Sequence, residues 1–123
     1  MNKLLIVFVT CGSDEEARKI SELLVRERVA ACANVAEIES VFEWKGKLEN
    51  QAEKLLIIKT IQSRYGELER LVKANHSYEC PEIMAIEVRH ASKEYENWLL
   101  ESCKNTPKSR KGIGRARRPD CAD

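Results

Sequence analysis

Between residues 31 and 44, Ala36, Ile38, Ser40, Phe42 and Trp44 alternate with Glu37, Glu39 and Glu43. A period of two sorts side chains onto opposite faces of one extended strand. At about 3.3 Å per residue this strand reaches on the order of 45 Å. Lys45-Gly46-Lys47 supplies a turn containing glycine. After a polar stretch, residues 53–60 carry Leu55-Leu56-Ile57-Ile58, so the pattern predicts a long β-hairpin.

The flanking segments complete a recurring order. Residues 3–10 are a β-rich run ending at Cys11-Gly12-Ser13, and Ser13 with Glu16 forms a capping-box pattern for a helix over 14–28. Its inner stripe is Ala17, Ile20 and Leu24. A second helix over 63–75 presents Leu68, Leu71 and Val72, residues 83–90 form a fourth strand, and Ser92 opens a third helix through Tyr95, Leu99 and Cys103. The order βαββαβ with an added C-terminal helix is α+β, a ferredoxin-like sandwich whose antiparallel sheet carries helices on one face. Two short helices cannot cover so long a hairpin, and its overhang exposes backbone groups that invite pairing with another chain. Closure of a repeated head-to-tail contact predicts a ring.

At 123 residues the chain has room for one domain. Its formal charge of +1 is uneven: residues 1–103 hold 14 Lys/Arg and 18 Asp/Glu, and residues 104–123 hold 7 and 2. That basic tail lacks the apolar residues needed to order itself, and reads as a solvated terminus or as a contact for nucleic acid or another polyanion. The apolar run at residues 4–9 is shorter than a signal-peptide core, and no run reaches the roughly 18 residues of a membrane span, so a cytoplasmic protein is expected. Cysteines 11, 32, 80, 103 and 121 include no Cys-x₂-Cys pair, which argues against a structural zinc site. Cys32, among alanines, reads as core packing.

The densest chemistry lies in the connector His76-Ser77-Tyr78-Glu79-Cys80-Pro81-Glu82-Ile83. His76 can offer a neutral imidazole to copper or zinc, with Cys80 or Cys11 adding a soft thiolate. It is equally a histidine whose positive charge suits a helix C-terminus. Glu79 and Glu82 are oxygen ligands, an acid–base pair, or acceptors for turn amides. Lys59, in an otherwise apolar strand, can bind an anion or pair with Glu79 of a neighbouring copy. Trp44, Tyr78, Tyr95 and Trp98 suit an intersubunit cleft or plain packing. An acylphosphatase-like enzyme would need an arginine in the loop after the first strand, and Thr10-Cys11-Gly12-Ser13 has none. An RNA-recognition module would need stacking aromatics on the third strand, and residues 51–60 have none. A nonenzymatic protein is expected.

Four segments taken together, Arg28-Val29-Ala30-Ala31-Cys32-Ala33-Asn34-Val35, Trp44-Lys45-Gly46-Lys47, Glu53-Lys54-Leu55-Leu56-Ile57-Ile58-Lys59-Thr60 and the His76 connector, resemble the CutA family of divalent-cation tolerance proteins. The resemblance runs over residues 3–103 and extends to Tyr95-x-x-Trp98. It implies a ferredoxin-like subunit in a tight homotrimer like that of PII signalling proteins, and a link to copper and other divalent metals. It also admits a PII-like regulatory or protein-anchoring scaffold without metal. The connector departs from the family's His-Pro-Tyr-Glu-x-Pro-Glu, since Ser77 replaces the first proline and returns a backbone N–H. Where some members have a copper-associated cysteine and second histidine, this chain has Thr10 and Asn75, so His76 alone carries over as a ligand.

Overall fold

A computed structural model describes residues 2–104; the expectation of a basic tail at 104–123 lies outside them except for Lys104. Strand β1 (Leu4–Cys11) is followed by α1 (Asp14–Arg26), β2 (Cys32–Trp44), β3 (Lys47–Ile61), a 3₁₀ turn (Gln62–Arg64), α2 (Tyr65–Asn75), β4 (Ile83–Glu87) and α3 (Lys93–Ser102). The antiparallel sheet has the order β2-β3-β1-β4. This is the expected βαββαβ arrangement with a C-terminal helix.

The core follows from two periodicities meeting. Leu5, Val7, Val9 and Cys11 of β1 and Leu56 and Ile58 of β3 alternate toward Ala17, Ile20 and Leu24 of α1 and Leu68 and Val72 of α2. At the start of α1 the Ser13 hydroxyl accepts the Glu16 N–H at 3.1 Å. The helix stops at Arg26, two residues before the expected 28, because Arg28 turns left-handed at φ 60. Arg28 N–H then reaches the Val25 carbonyl and Val29 N–H the Leu24 carbonyl, both at 3.1 Å, which makes a Schellman cap. Glycine is usual at this position; a side chain there costs about 1 kcal/mol. Here the buried Arg28 guanidinium offsets that strain by donating to the carbonyls of Glu101 at 2.9 Å and Lys104 at 3.0 Å, tying down the end of α3.

The exposed residues 48–52 belong to β3, correcting the expectation that the second hairpin strand begins at 53. Lys45 and Gly46, at φ 52 and 79, form a two-residue turn that starts pairing at once with Trp44↔Lys47. Pairing of β1 with β3 ends at Cys11↔Lys54, so the hairpin from Ile38↔Glu53 to Trp44↔Lys47 projects past the rest of the sheet. Seven residues of each strand give roughly 24 Å of overhang. The second helix begins at Tyr65 instead of 63, behind the 3₁₀ turn. β4 stops at Glu87 instead of 90, because Val88 N–H meets the carbonyl of Leu4, the first residue of β1.

α3 closes the end of the sheet away from the hairpin tip, placing Leu99 and Cys103 against Leu4, Ala31 and Ile61. Between that end and the hairpin lies the row alternating with the core. Ile6, Phe8, Leu55 and Ile57 are half-buried there, and Met84 and Ile86, paired with Phe8 and Ile6, are 57% and 53% exposed.

Candidate metal centre

α2 ends at Asn75, and His76 turns extended at φ −97 and ψ 142. That reversal carries the imidazole under the end of β1, where its side chain is fully buried. Nε2 lies 2.7 Å from the Thr10 carbonyl oxygen, and Nδ1 accepts the Tyr78 N–H at 3.0 Å. A carbonyl can only accept and an amide only donate, so both contacts are met together by the neutral ring with its proton on Nε2. The charged form, suited to a helix C-terminus, would aim an Nδ1 proton at another N–H.

Glu16 approaches from the first turn of α1. Its Oε1 is 4.0 Å from His76 Nδ1. The same carboxylate accepts the Ser77 N–H at 2.8 Å and the Ser77 hydroxyl at 3.2 Å. A proline at 77, with neither N–H nor hydroxyl, could make neither bond. Cys11 completes the group from β1: one donor atom each from Cys11, Glu16 and His76 fall within 4.8 Å of one another. Burial, then the carboxylates of Glu16 and Glu53, push the Cys11 thiol up to about 12. A surface hollow of about 320 Å³ lined by Ser13, Glu15, Glu16, Lys19 and Asn75 brings solvent to the Glu16 side of the cluster.

Tyr78 links the connector to the hairpin. Its ring lies 4.9 Å from that of His76 at 53°. Its hydroxyl donates to Glu53 Oε2 at 2.9 Å and accepts from Gln51 Nε2 at 3.2 Å. Burial first and the Glu53 contact second raise the phenol's ionisation above its ordinary value. Gly12 makes the approach possible, since a Cβ there would stand 2.9 Å from the Tyr78 oxygen.

The other expected site residues are dispersed within a single chain. Cys80 is exposed and lies outside the cluster. Glu79 and Glu82 are exposed and make no hydrogen bond among the described residues. Lys59 is half-buried and donates to Asn34 Oδ1 across the β2–β3 pair. Trp44 sits at the hairpin tip, 61% exposed, with the Lys45 ammonium 5.9 Å from its ring centre. Tyr95 and Trp98 lie 5.5 Å apart in the α3 cluster. Sequence reasoning missed Glu16, Glu53 and Gln51. The Ser13-x-x-Glu16 pattern did single out Glu16, as a cap; the missing signal was its partner 61 residues away.

Residues 5–102 match the family model described as CutA1 divalent ion tolerance protein. The chain is 42% identical over 102 residues to "Protein CutA, chloroplastic" of Arabidopsis thaliana, covering 82% of this chain and 56% of that protein. It thus spans little more than half of that relative's length. It is 39% identical over 98 residues to the "Divalent-cation tolerance protein CutA" of Thermus thermophilus, covering 79% of this chain and 95% of that one. Among solved structures, the "Periplasmic divalent cation tolerance protein CutA" from Archaeoglobus fulgidus superposes with a TM-score of 0.80 at 37% identity, covering 82% of this chain and 99% of that one. Among the described residues no helix is long and apolar enough to cross a membrane.

Proposed function

The chain belongs to the CutA1 family of divalent ion tolerance proteins, and on that premise we propose that it is a nonenzymatic homotrimer that binds copper or another divalent cation. The observation that carries the reading is the grouping of a thiol, an imidazole and a carboxylate within 4.8 Å. A sulfur, nitrogen and oxygen donor set suits copper and zinc better than the all-oxygen shells of magnesium or calcium. With metal–ligand bonds of 2.0–2.3 Å, donors in a tetrahedral site stand about 3.6 Å apart, so the cluster needs to contract by about 1 Å. Binding is expected to be weak, because the ion must displace a thiol proton that burial retains.

Assembly is supported by the overhanging hairpin and by the apolar row of Ile6, Phe8, Met84 and Ile86, which lack cover in one chain. In a trimer the dispersed residues Trp44, Lys59, Tyr95 and Trp98 can meet residues of other subunits in the expected cleft. A cytoplasmic location is part of this reading, although relatives carry chloroplastic and periplasmic names.

Calorimetric titration of copper and zinc into the native chain and His76→Ala tests the proposal. Heat of binding should be seen with the native chain and fall at least tenfold in affinity with the variant. Equal binding by both removes His76 from the site. A second reading is favoured by one observation: His76 and Glu16 already have hydrogen-bond partners within the chain. They would then serve as a structural clasp in a PII-like small-ligand or anchoring scaffold, and the titration would be flat.

A further inference from the structure

We propose that a zinc- or copper-class ion occupies the Cys11–Glu16–His76 cluster by displacing the hydrogen bonds that hold the 77–78 connector, so that occupancy frees Tyr78 from the base of the hairpin. This rests on the metal-binding reading above. The donor atoms an ion requires are the acceptors that now fix the connector. Glu16 holds both the N–H and the hydroxyl of Ser77, and His76 Nδ1 holds the N–H of Tyr78.

Competition at the imidazole is strict. Nδ1 has one in-plane lone pair, and it cannot serve Tyr78 N–H and a metal together. Nδ1 is also the nitrogen facing Glu16, at 4.0 Å, whereas Nε2 is turned to the Thr10 carbonyl. Coordination through Nδ1 therefore leaves the Nε2 bond intact and releases the amide. Glu16 has more lone pairs, yet drawing its carboxylate about 1 Å toward the other donors lengthens the Ser77 contacts from 2.8 and 3.2 Å past useful range.

Release reaches the hairpin through one side chain. Tyr78 packs on His76 and bonds to Glu53 and Gln51. Glu53 pairs with Ile38, the first rung beyond the end of β1, so this is where the overhang begins. Metal state is thereby converted into freedom or restraint at the root of the ribbon that the assembly uses. The device depends on Ser77, since a proline at 77 would have no N–H for Glu16 to hold.

The test follows amide exchange in residues 76–80 of the full chain by mass spectrometry, during titration with zinc as the only added metal. Zinc binding should accelerate exchange in that segment at least tenfold. In parallel, Tyr78→Phe, which loosens the clasp without touching a donor atom, should bind zinc about five- to tenfold tighter, because less of the connector's hydrogen bonding remains to be broken. Zinc binding with unchanged or slower exchange, and equal affinity in the variant, overturns the exchange mechanism and leaves the metal site standing. Absence of zinc binding to the native chain removes the site itself, and this inference with it.

Discussion

Gly12→Ala perturbs the connector through one methyl group. The new Cβ would stand 2.9 Å from the Tyr78 oxygen and 3.5 Å from two ring carbons. The ring carbons are at ordinary contact distance, so the conflict is confined to the hydroxyl, which must retreat by about 0.5 Å to reach van der Waals separation. Such a retreat is sterically cheap, but it takes the 2.9 Å bond to Glu53 to the limit of hydrogen bonding. Glu53 is 9% exposed and has the phenol as its hydrogen-bond partner among the described residues. Losing a bond to a charged group costs about 1.5–3 kcal/mol. The alanine returns about 0.4–1 kcal/mol by restricting the unfolded chain. A net loss of about 1–2 kcal/mol is expected.

The informative measurement is the double-mutant cycle with Tyr78→Phe, by guanidinium denaturation at fixed protein concentration, since the proposed assembly would make apparent stability depend on it. Tyr78→Phe already forfeits the Glu53 bond and removes the clashing oxygen. Adding Gly12→Ala to it should then be neutral or stabilising by up to about 1 kcal/mol. Additive losses from the two substitutions would refute the assignment of the Gly12 effect to the hydroxyl.

Arg28 offers a separate test. Arg28→Ala keeps the left-handed strain and discards the bonds to Glu101 and Lys104, for an expected loss of about 2–4 kcal/mol, whereas Arg28→Gly relieves the strain and should be about 1 kcal/mol less harmful. Equal denaturation midpoints for the two variants would contradict the Schellman assignment. Alkaline titration tests the Cys11 environment. Below pH 9 the thiol is protonated in both folded and unfolded chains; between pH 9 and about 12 the unfolded chain loses the proton first, so folding stability falls. The full span corresponds to about 4 kcal/mol at most. Cys11→Ala should show a shallower decline in denaturation midpoint between pH 8 and 10.5, and parallel curves would count against a buried thiol.

What could be read from sequence divides according to how local the cause is. The alternation from Ala36 to Trp44 needs nothing beyond its own strand, and the observed β2 ends at Trp44 as expected. Residues 48–52 resisted reading because they are exposed throughout, so no hydrophobic alternation marks the strand; two left-handed residues at the turn set its register. The candidate centre shows the same division more sharply. His76 and Cys11 were legible as chemistry, but Glu16 had a sufficient local explanation as the third residue after a serine cap. Its side chain instead spans to Ser77. Glu79 and Glu82 drew notice by lying beside His76 in sequence, whereas the carboxylates that meet the connector come from α1 and β3. Serine at 77 leaves rotatable a φ that a proline ring would fix. Its N–H and hydroxyl are both held by Glu16, so the connector is restrained here by hydrogen bonds and not by a ring. A ring of proline cannot be undone by a ligand, but two hydrogen bonds to a potential metal ligand can.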